Sequence, residues 1–372
     1  MVRPTLKTSL CELLEIEYPV MLAGMGGFAM PELVAAVSNA GGLGVLGATG
    51  LSPDEHREAI RRIRSLTNKP FGVDLLLPLT AYGKGVEALR NPNVVIPEPS
   101  GELLAAVKRL KDKHGIPEPA EGPADDREVL TPGHIKQMVD ITIEERVPVF
   151  VSGLGNPAEL VPEFHRKGAR VLALVGNVRN ARTVAASGVD AVIAQGHEAG
   201  GHTGRIGTLA LVPQVVDAVS PIPVVAAGGI GDGRGLVAAL GLGAVGVWCG
   251  TLFAAAQESM APRWYKDRCV AQTEEETVVT RFMTGKTCRI QKNRLIDAWD
   301  AEVGTTLPMP VQGRLSGPLR QAVEERNMTE YLGGPAGQVA GMIQEIKPAG
   351  QLLQEMVAQA AAILDAGLGA RL

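Results

Sequence analysis

The chain has 372 residues, a formal net charge of −4, 45 % apolar residues and 20 % charged residues. These values are typical of a folded globular protein, and the length allows one barrel-sized domain or two ordinary domains. The near-neutral charge argues against nucleic-acid binding, which requires a strongly basic surface. The 45 glycines beside 3 % aromatic residues indicate many tight turns and close backbone contacts.

The compartment is predicted from the N-terminus and the cysteines. The first twelve residues carry charges and no apolar signal segment, and the four cysteines form no C-x-x-C pair. We therefore expect a cytoplasmic protein without disulfides. Residues 235–257 lack charge over nearly the length of a membrane span, but their glycines divide them into a helix-like and a strand-like part. This pattern favours a buried helix followed by a buried strand over a membrane span.

Short apolar segments that recur along the chain predict eight strands. They are apolar throughout rather than alternating, as expected of parallel strands that are covered on both faces. The segments are residues 19–23, 43–47, 71–76, 147–152, 170–174, 191–195, 223–227 and 244–249.

Helical patterns lie between most of these segments. Residues 31–40 begin with proline and are followed by two glycines, and residues 52–65 open with the capping sequence Ser-Pro-Asp-Glu. Further helices are predicted at residues 156–167, 180–187, 209–219 and 232–240. The strand–helix alternation predicts a parallel α/β sheet, and eight strands favour a TIM-type (β/α)8 barrel over an open Rossmann sheet.

Two regions interrupt the alternation. Residues 78–133 form an insertion after the third strand, rich in proline and charge, with a helical core at residues 102–114. Residues 262–335 are more charged and contain two of the three tryptophans. We interpret them as an inserted, mostly helical lid or substrate domain whose movement controls access to the site. Residues 1–261 and 336–372 would form the barrel, with a helix at residues 350–366 closing its wall.

The segment most indicative of chemistry is residues 191–204, AVIAQGHEAGGHTG. Here a strand ends at Gln195 and a glycine-rich loop with two histidines follows. Glycines allow a backbone to approach a flat ligand closely. An imidazole has a pKa suited to acid–base chemistry, so His202, among glycines at the barrel mouth, is the candidate catalytic residue. His197 is interpreted as an ordinary loop residue.

Three further loops indicate a phosphorylated, planar ligand. Gly228-Gly229 and Gly250-Thr251 follow the last two strands, where barrels frequently bind phosphate through backbone N–H groups. Residues 23–27 after the first strand are small enough to lie against a planar ring. Walker A, dinucleotide, metal-ligand and G-x-S-x-G motifs are absent. These features together suggest a barrel that binds flavin mononucleotide (FMN) and no metal.

Five segments resemble the nitronate monooxygenase family, formerly called 2-nitropropane dioxygenases. They are residues 31–42, 71–78, 194–204, 226–230 and 335–343, and the EAGGH loop is the most specific of them. The resemblance covers nearly the whole chain. It implies a TIM barrel with an inserted helical domain, FMN as cofactor and no metal.

The resemblance also implies roles for individual residues. His202 would be the catalytic histidine near the flavin N5, and the glycine loops would hold the ring and the phosphate. The cofactor-binding residues would be Gly24, Met25, Asp74, Gln195, Gly200, Gly201, Gly228, Gly229, Cys249, Gly250 and Thr251. Cys249 is interpreted in its own right as a small buried hydrophobic residue.

The chain departs from the family pattern at two places. Many members have asparagine where this chain has Asp74, and the loop between Thr203 and Leu209 looks shorter than in many members. A carboxylate near the flavin pyrimidine would accept a hydrogen bond from N3–H but would disfavour an anionic reduced flavin. Both departures bear on the substrate more than on the cofactor.

The leading functional hypothesis is an FMN-dependent monooxygenase that oxidises alkyl nitronates with O2 to a carbonyl compound and nitrite. His202 would bond the nitro oxygens or take the α-proton of a neutral nitroalkane. An FMN-dependent enoyl-thioester (enoyl-carrier-protein) reductase using NAD(P)H and a non-catalytic flavin-binding barrel are the alternatives. We expect a small-molecule substrate, no nucleic-acid or membrane partner, and a homodimer as the candidate assembly.

Overall fold

Eight parallel strands form a nearly closed barrel in the computed structural model, which describes residues 6–77, 98–120, 131–309 and 311–367. The barrel strands are β1 (Val20–Leu22), β2 (Gly44–Gly47), β3 (Phe71–Leu76), β4 (Val149–Leu154), β5 (Arg170–Val175), β6 (Ala191–Gln195), β8 (Val224–Ala227) and β9 (Gly246–Cys249). Their order in the sheet is β1-β9-β8-β6-β5-β4-β3-β2, and a bridge between Met21 and Leu43 brings β1 beside β2. All eight match predicted segments, and the predicted TIM-type fold is confirmed.

Most of the described helices outside residues 262–335 surround this barrel and connect its parallel strands. The helices outside that range are α1 (Ser9–Leu14), α2 (Pro31–Asn39), α3 (Pro53–Leu66), α4 (Gly101–His114), α5 (Pro132–Glu144), α6 (Val161–Arg166), α7 (Val178–Ala185), α8 (Thr208–Val219), α9 (Gly233–Gly241), α10 (Thr251–Ala254) and α14 (Ala349–Ala366). Of these, α1 precedes the first strand and α4 belongs to the insertion after the third. The Ser52 side chain caps α3, and Glu55 completes a capping box there, as the Ser-Pro-Asp-Glu sequence predicts.

The core has two layers because successive strand residues point to opposite faces. Residues such as Met21, Val151 and Ile193 fill the barrel interior, whereas their neighbours pack outward against the helices. Leu10 of α1 belongs to the interior cluster and approaches the start of β9 at Gly246. The N-terminal end of the barrel is therefore packed with side chains, and open space remains at the C-terminal ends of the strands.

Residues 262–335, called the cap below, cover those C-terminal ends. Their elements are α11 (Arg263–Ala271), β10 (Thr277–Thr280), β11 (Cys288–Gln291), α12 (Arg294–Glu302) and α13 (Val311–Glu325). Strand β11 pairs antiparallel both with β10 and with the two-residue β7 (Gly201–His202) of the barrel loop. Helix α4 of the preceding insertion packs into the apolar cluster of the cap, so both insertions meet above the barrel.

Several elements differ from their predicted bounds. Helix α5 was not predicted, although Thr131 caps it and proline occupies its first turn. The helix expected at residues 156–167 is restricted to α6 because residues 158–160 form a turn, in which Leu160 and Val161 both bond the Pro157 carbonyl. Of the insertion predicted at 78–133, residues 78–97 and 121–130 lie outside the described part of the chain.

The uncharged stretch at residues 235–257 contains most of α9 and all of β9 and α10. Within the described residues, no helix is both long enough and apolar enough to span a bilayer. The four cysteines are all buried, and none is in a disulfide.

Candidate active site

A cavity of about 470 Å³ lies between the barrel and the cap, at the C-terminal ends of the strands. Each residue predicted for catalysis or cofactor binding lines it. These residues are Gly24, Met25, Asp74, Gln195, Gly200, Gly201, His202, Gly228, Gly229, Cys249, Gly250 and Thr251. The sequence places them in separate loops and strands, and the fold brings them to one site.

The barrel side of the cavity is built largely from glycine backbone. A Cβ atom on Gly24 would lie 2.2 Å from Asp74 Cβ, and one on Gly47 would lie 2.3 Å from the Met25 carbonyl carbon. The loop after β1 can therefore lie on strands β2 and β3 only because both positions lack a side chain. The result is a flat, rigid surface, which we call the barrel wall.

Gly228 and Gly229 form the turn after β8 and both adopt positive φ, 96° and 71°. The Gly228 carbonyl accepts a hydrogen bond from Thr208 Oγ1 at 2.9 Å. The side chain of Asp232 accepts from Arg234 and Gly235 and so caps α9 itself. The helix end is therefore already satisfied, and any anion here would meet the Gly228-Gly229 backbone instead.

Thr251 connects the barrel to the segment that follows the cap. Its Oγ1 accepts a hydrogen bond from the Gly337 backbone N–H at 2.9 Å. A Cβ atom on Gly200 would lie 2.6 Å from the same nitrogen, so Gly200 and Gly337 pack backbone against backbone. Gly337 lines the cavity and lies in the 335–343 segment that carries the family resemblance, but it was not predicted as a site residue.

His202 lies where the barrel meets the cap. It belongs to β7, opposite Cys288 of β11, and its backbone carbonyl accepts from Gln195 Nε2. Its Nε2 lies 2.8 Å from the hydroxyl of Thr284, a cap residue that the sequence did not reveal as functional. The imidazole is thus held by strand pairing and a cap hydrogen bond rather than by a flexible glycine loop.

The electrostatics of His202 correct the prediction of a near-neutral pKa. Burial lowers the pKa of His202 to about 4, and the nearby Lys286 cation adds to the effect. The side chain is therefore neutral at pH 7. By contrast, His197 does not line the cavity: its Nδ1 lies 2.8 Å from the Gly204 carbonyl oxygen.

Two other titratable groups in the cavity wall are neutral. Burial raises the pKa of Asp74 to about 8, so the expected carboxylate is a carboxylic acid at pH 7. Burial also raises the pKa of the Cys249 thiol to about 12, and the side chain belongs to the apolar core, consistent with its interpretation as a buried hydrophobic residue.

The opposite side, which we call the cap wall, consists mainly of large apolar side chains that sequence reasoning did not identify, with Arg320 and Glu324 of α13 beside them. The apolar side chains are Trp264, Phe282, Met283, Ile290, Leu295, Val323 and Leu332. Polar neighbours are engaged within the protein: Asn293 Oδ1 caps α12, and Tyr331 OH lies 3.0 Å from His114 Nδ1. No motif identifies such a wall, because its members come from three helices, one strand and two loops.

Comparison with known proteins gives a consistent result. The family model described as nitronate monooxygenase matches residues 7–359. A Staphylococcus saprophyticus protein described as a probable nitronate monooxygenase is 35 % identical over 97 % of this chain and 99 % of its own length.

Solved structures agree with that match. A nitroalkane oxidase from Streptomyces ansochromogenes is 32 % identical, with a TM-score of 0.80 over 96 % of this chain and 99 % of the other. FabK from Thermotoga maritima is 35 % identical, with a TM-score of 0.75 over 97 % of this chain and 98 % of the other.

Proposed function

The chain belongs to the nitronate monooxygenase family and is a flavin-dependent oxidoreductase, and from that premise we propose that it uses FMN and O2 to oxidise alkyl nitronates to a carbonyl compound and nitrite. The observation that carries the proposal is the convergence of the predicted flavin loops and His202 on one cavity that is closed by an apolar cap wall.

The residues around the cavity fit a flavin. Asp74 Oδ1 is buried and has no hydrogen-bond partner among the residues that the structure describes, so it is free to bond a polar atom of a bound ligand. The barrel wall offers the close backbone approach that a planar ring requires. The cavity volume of about 470 Å³ lies within the range of ordinary ligand sites.

The roles of the barrel residues follow from their positions. Gly24 and Met25 would back the ring, and Gln195 with the Gly200-Gly201 backbone would contact its edge. The loops at Gly228-Gly229 and Gly250-Thr251 would hold one terminal phosphate. FMN is proposed rather than FAD because the chain carries no dinucleotide fingerprint after β1.

His202 is proposed to bind the nitro group of the substrate. A bound flavin supplies an electron acceptor that O2 reoxidises. Neutral His202 can donate one hydrogen bond to a nitronate oxygen, while Thr284 fixes the orientation of its ring. A base with a pKa of about 4 removes a carbon-bound proton poorly at pH 7. This low pKa favours preformed nitronates over neutral nitroalkanes as substrates.

The cap wall is proposed to bind the alkyl part of the substrate. Most of its side chains are apolar, and the Tyr331 hydroxyl, the Asn293 amide oxygen and the Glu324 carboxylate beside them are bonded within the protein. An uncharged hydrocarbon chain can therefore lie against the apolar part of this wall without displacing those hydrogen bonds.

The test is the visible spectrum of the purified protein during anaerobic additions. The protein should copurify with a flavin that is released by heat as FMN, and ethyl nitronate should bleach it within one turnover. Reduction by NADH or NADPH without nitronate would instead support the enoyl-thioester reductase. A bound flavin that neither reagent reduces would support a non-catalytic barrel, and released FAD would contradict the cofactor assignment.

A further inference from the structure

Asp74 is the one acidic residue among the described residues that line the barrel side of the cavity. It lies on β3 with 6 % of its surface exposed, and its Oδ1 has no hydrogen-bond partner in the described part of the chain. Cβ atoms on Gly24 and Gly153 would lie 2.5 Å and 2.6 Å from its carboxyl oxygens. The carboxyl group is thus enclosed by glycine backbone and lines the cavity.

The surroundings of Asp74 hold no compensating charge. The loop after β1 presents Gly24, and β4 presents Gly153. The loop after β2 presents Thr49, whose hydroxyl accepts a hydrogen bond from the Leu76 backbone. None of these groups titrates. The pKa of Asp74 is raised because burial penalises the carboxylate, and a hydrogen bond from the Gly153 backbone offsets only part of that penalty.

We propose that Asp74 meets the bound flavin as a neutral carboxylic acid, and that its carboxylate, when alkaline pH has formed it, takes up a proton as the flavin is reduced. The inference rests on the proposed flavin site. An anionic reduced flavin and an ionised Asp74 would place two negative charges in one buried cavity, and no described charged group acts on Asp74 itself; Arg320, which also lines the cavity, belongs to α13 of the cap. Reduction therefore raises the proton affinity of Asp74.

The number of protons taken up on flavin reduction depends on whether Asp74 is neutral or ionised beforehand. Where Asp74 is already neutral, two electrons and one proton enter the flavin. Where Asp74 is ionised, two electrons and two protons are taken up, and the second proton forms an O–H bond on the Asp74 carboxylate. The electrons come from the chemical reductant of the titration, such as dithionite.

The test is the midpoint potential of the holoprotein between about pH 7 and about pH 9.5. For a two-electron couple, one proton corresponds to a slope of about 30 mV per pH unit and two protons to about 59 mV. The slope of the wild-type midpoint potential should change from about 30 mV to about 59 mV per pH unit as pH rises. The slope for Asp74→Asn should stay at about 30 mV per pH unit throughout. Asp217→Asn, an exposed change on α8, should behave as wild type.

The flavin-free protein provides a second measurement that does not depend on how well Asp74→Asn retains the flavin. Folded wild type keeps a proton on Asp74 that the unfolded chain releases above about pH 4. The contribution of Asp74 to the free energy of unfolding therefore falls as pH rises from about 4 to about 8. The melting temperature of Asp74→Asn minus that of wild type should increase over this interval and then level off.

The outcomes separate this inference from the proposed function. A protein that takes up no flavin would overturn both. A bound flavin whose potential has the same pH slope in wild type and Asp74→Asn would overturn only the inference. A steepening that persists in Asp74→Asn would assign the proton to another group and would overturn it equally.

Discussion

The two walls of the cavity are made in different ways. The barrel wall is mainly backbone: Gly24, Gly47 and Gly153 each lie where an added Cβ would come within 2.6 Å of a neighbouring atom. The cap wall is made of side chains such as Phe282 and Ile290, which pack in the apolar cluster of the cap. The shape of the barrel wall is fixed by the backbone, whereas the shape of the cap wall depends on which side chains are present.

This contrast indicates how a single fold can separate two tasks. A backbone surface cannot be reshaped by substitution without moving the strands that carry it, so it suits a cofactor that is the same in every turnover. A side-chain surface can change in size while the strands stay in place, so it suits the substrate. His202 lies between them, on a strand that pairs with the cap.

The largest effect is expected at this boundary, from His202→Asn. The variant removes the ring nitrogen that lies beside Thr284 and the hydrogen bond proposed for the nitronate. Turnover of nitronates should fall by about 10²–10³, the range typical of losing one hydrogen-bond donor to an oxygen that carries developing charge. Flavin should remain bound, because the barrel wall and not this side chain holds it. Stopped-flow reduction of the flavin measures the loss.

His197→Asn is the matched control for that variant. His197 lies in the same loop and bonds the Gly204 carbonyl through Nδ1, a position that an asparagine amide can occupy. Its rate of flavin reduction should remain within a few-fold of wild type. If the rate of flavin reduction in His202→Asn also stays within a few-fold of wild type, His202 has no chemical role and the proposed mechanism is wrong.

A smaller effect is expected on the barrel wall, from Gly24→Ala. The new methyl group would overlap Asp74 Cβ, so the loop after β1 must move away from β3. Overpacking of this kind costs about 1–3 kcal/mol, which corresponds to an increase of about 5- to 150-fold in the dissociation constant of FMN. Fluorescence titration of the flavin-free protein measures that constant.

Gly101→Ala is the control for the glycine change. Gly101 begins α4, and a Cβ there would meet nothing within 4 Å. Flavin affinity should be unchanged in this variant. Equal flavin affinity in Gly24→Ala and wild type would mean that the barrel wall is not the surface that holds the cofactor.

The barrel wall could be predicted from sequence because it is local. Each glycine loop directly follows a strand, and the C-terminal ends of parallel strands meet at one end of a barrel. The order of strands along the chain was therefore sufficient to bring Gly24, Gln195 and Gly228 together. The same reasoning located the helix–strand pair of the uncharged stretch, α9 and β9.

The cap wall and the titration behaviour could not be predicted because they depend on tertiary packing. Trp264, Ile290 and Leu332 carry no common pattern, and long-range contacts such as the pairing of β11 with β7 bring this region over the barrel. The pKa values of His202 and Asp74 are shifted mainly by burial, which single residues in a sequence do not reveal.

The smallest effect is expected on the cap wall, from Ile290→Val. Ile290 is buried in β11, two residues from Cys288, which pairs with His202, and its side chain lines the cavity. Removing one methyl group should cost about 0.5–1.5 kcal/mol of stability. It should also leave room for a longer alkyl chain. The ratio of kcat/KM for hexyl nitronate to that for ethyl nitronate should rise by about 5- to 10-fold, the lower end of the roughly 1–3 kcal/mol that one methylene contributes.

Ile60→Val separates the two consequences of that change, because Ile60 is equally buried but packs α3 against the outside of the barrel. Its stability should fall to a similar extent in thermal unfolding, while the ratio for the two nitronates stays at the wild-type value. FMN affinity should be unchanged in both variants. If Ile290→Val changed FMN affinity as much as Gly24→Ala does, side chains of the cap wall would help to hold the flavin. The division of the cofactor to the barrel wall and the substrate to the cap wall would then be wrong.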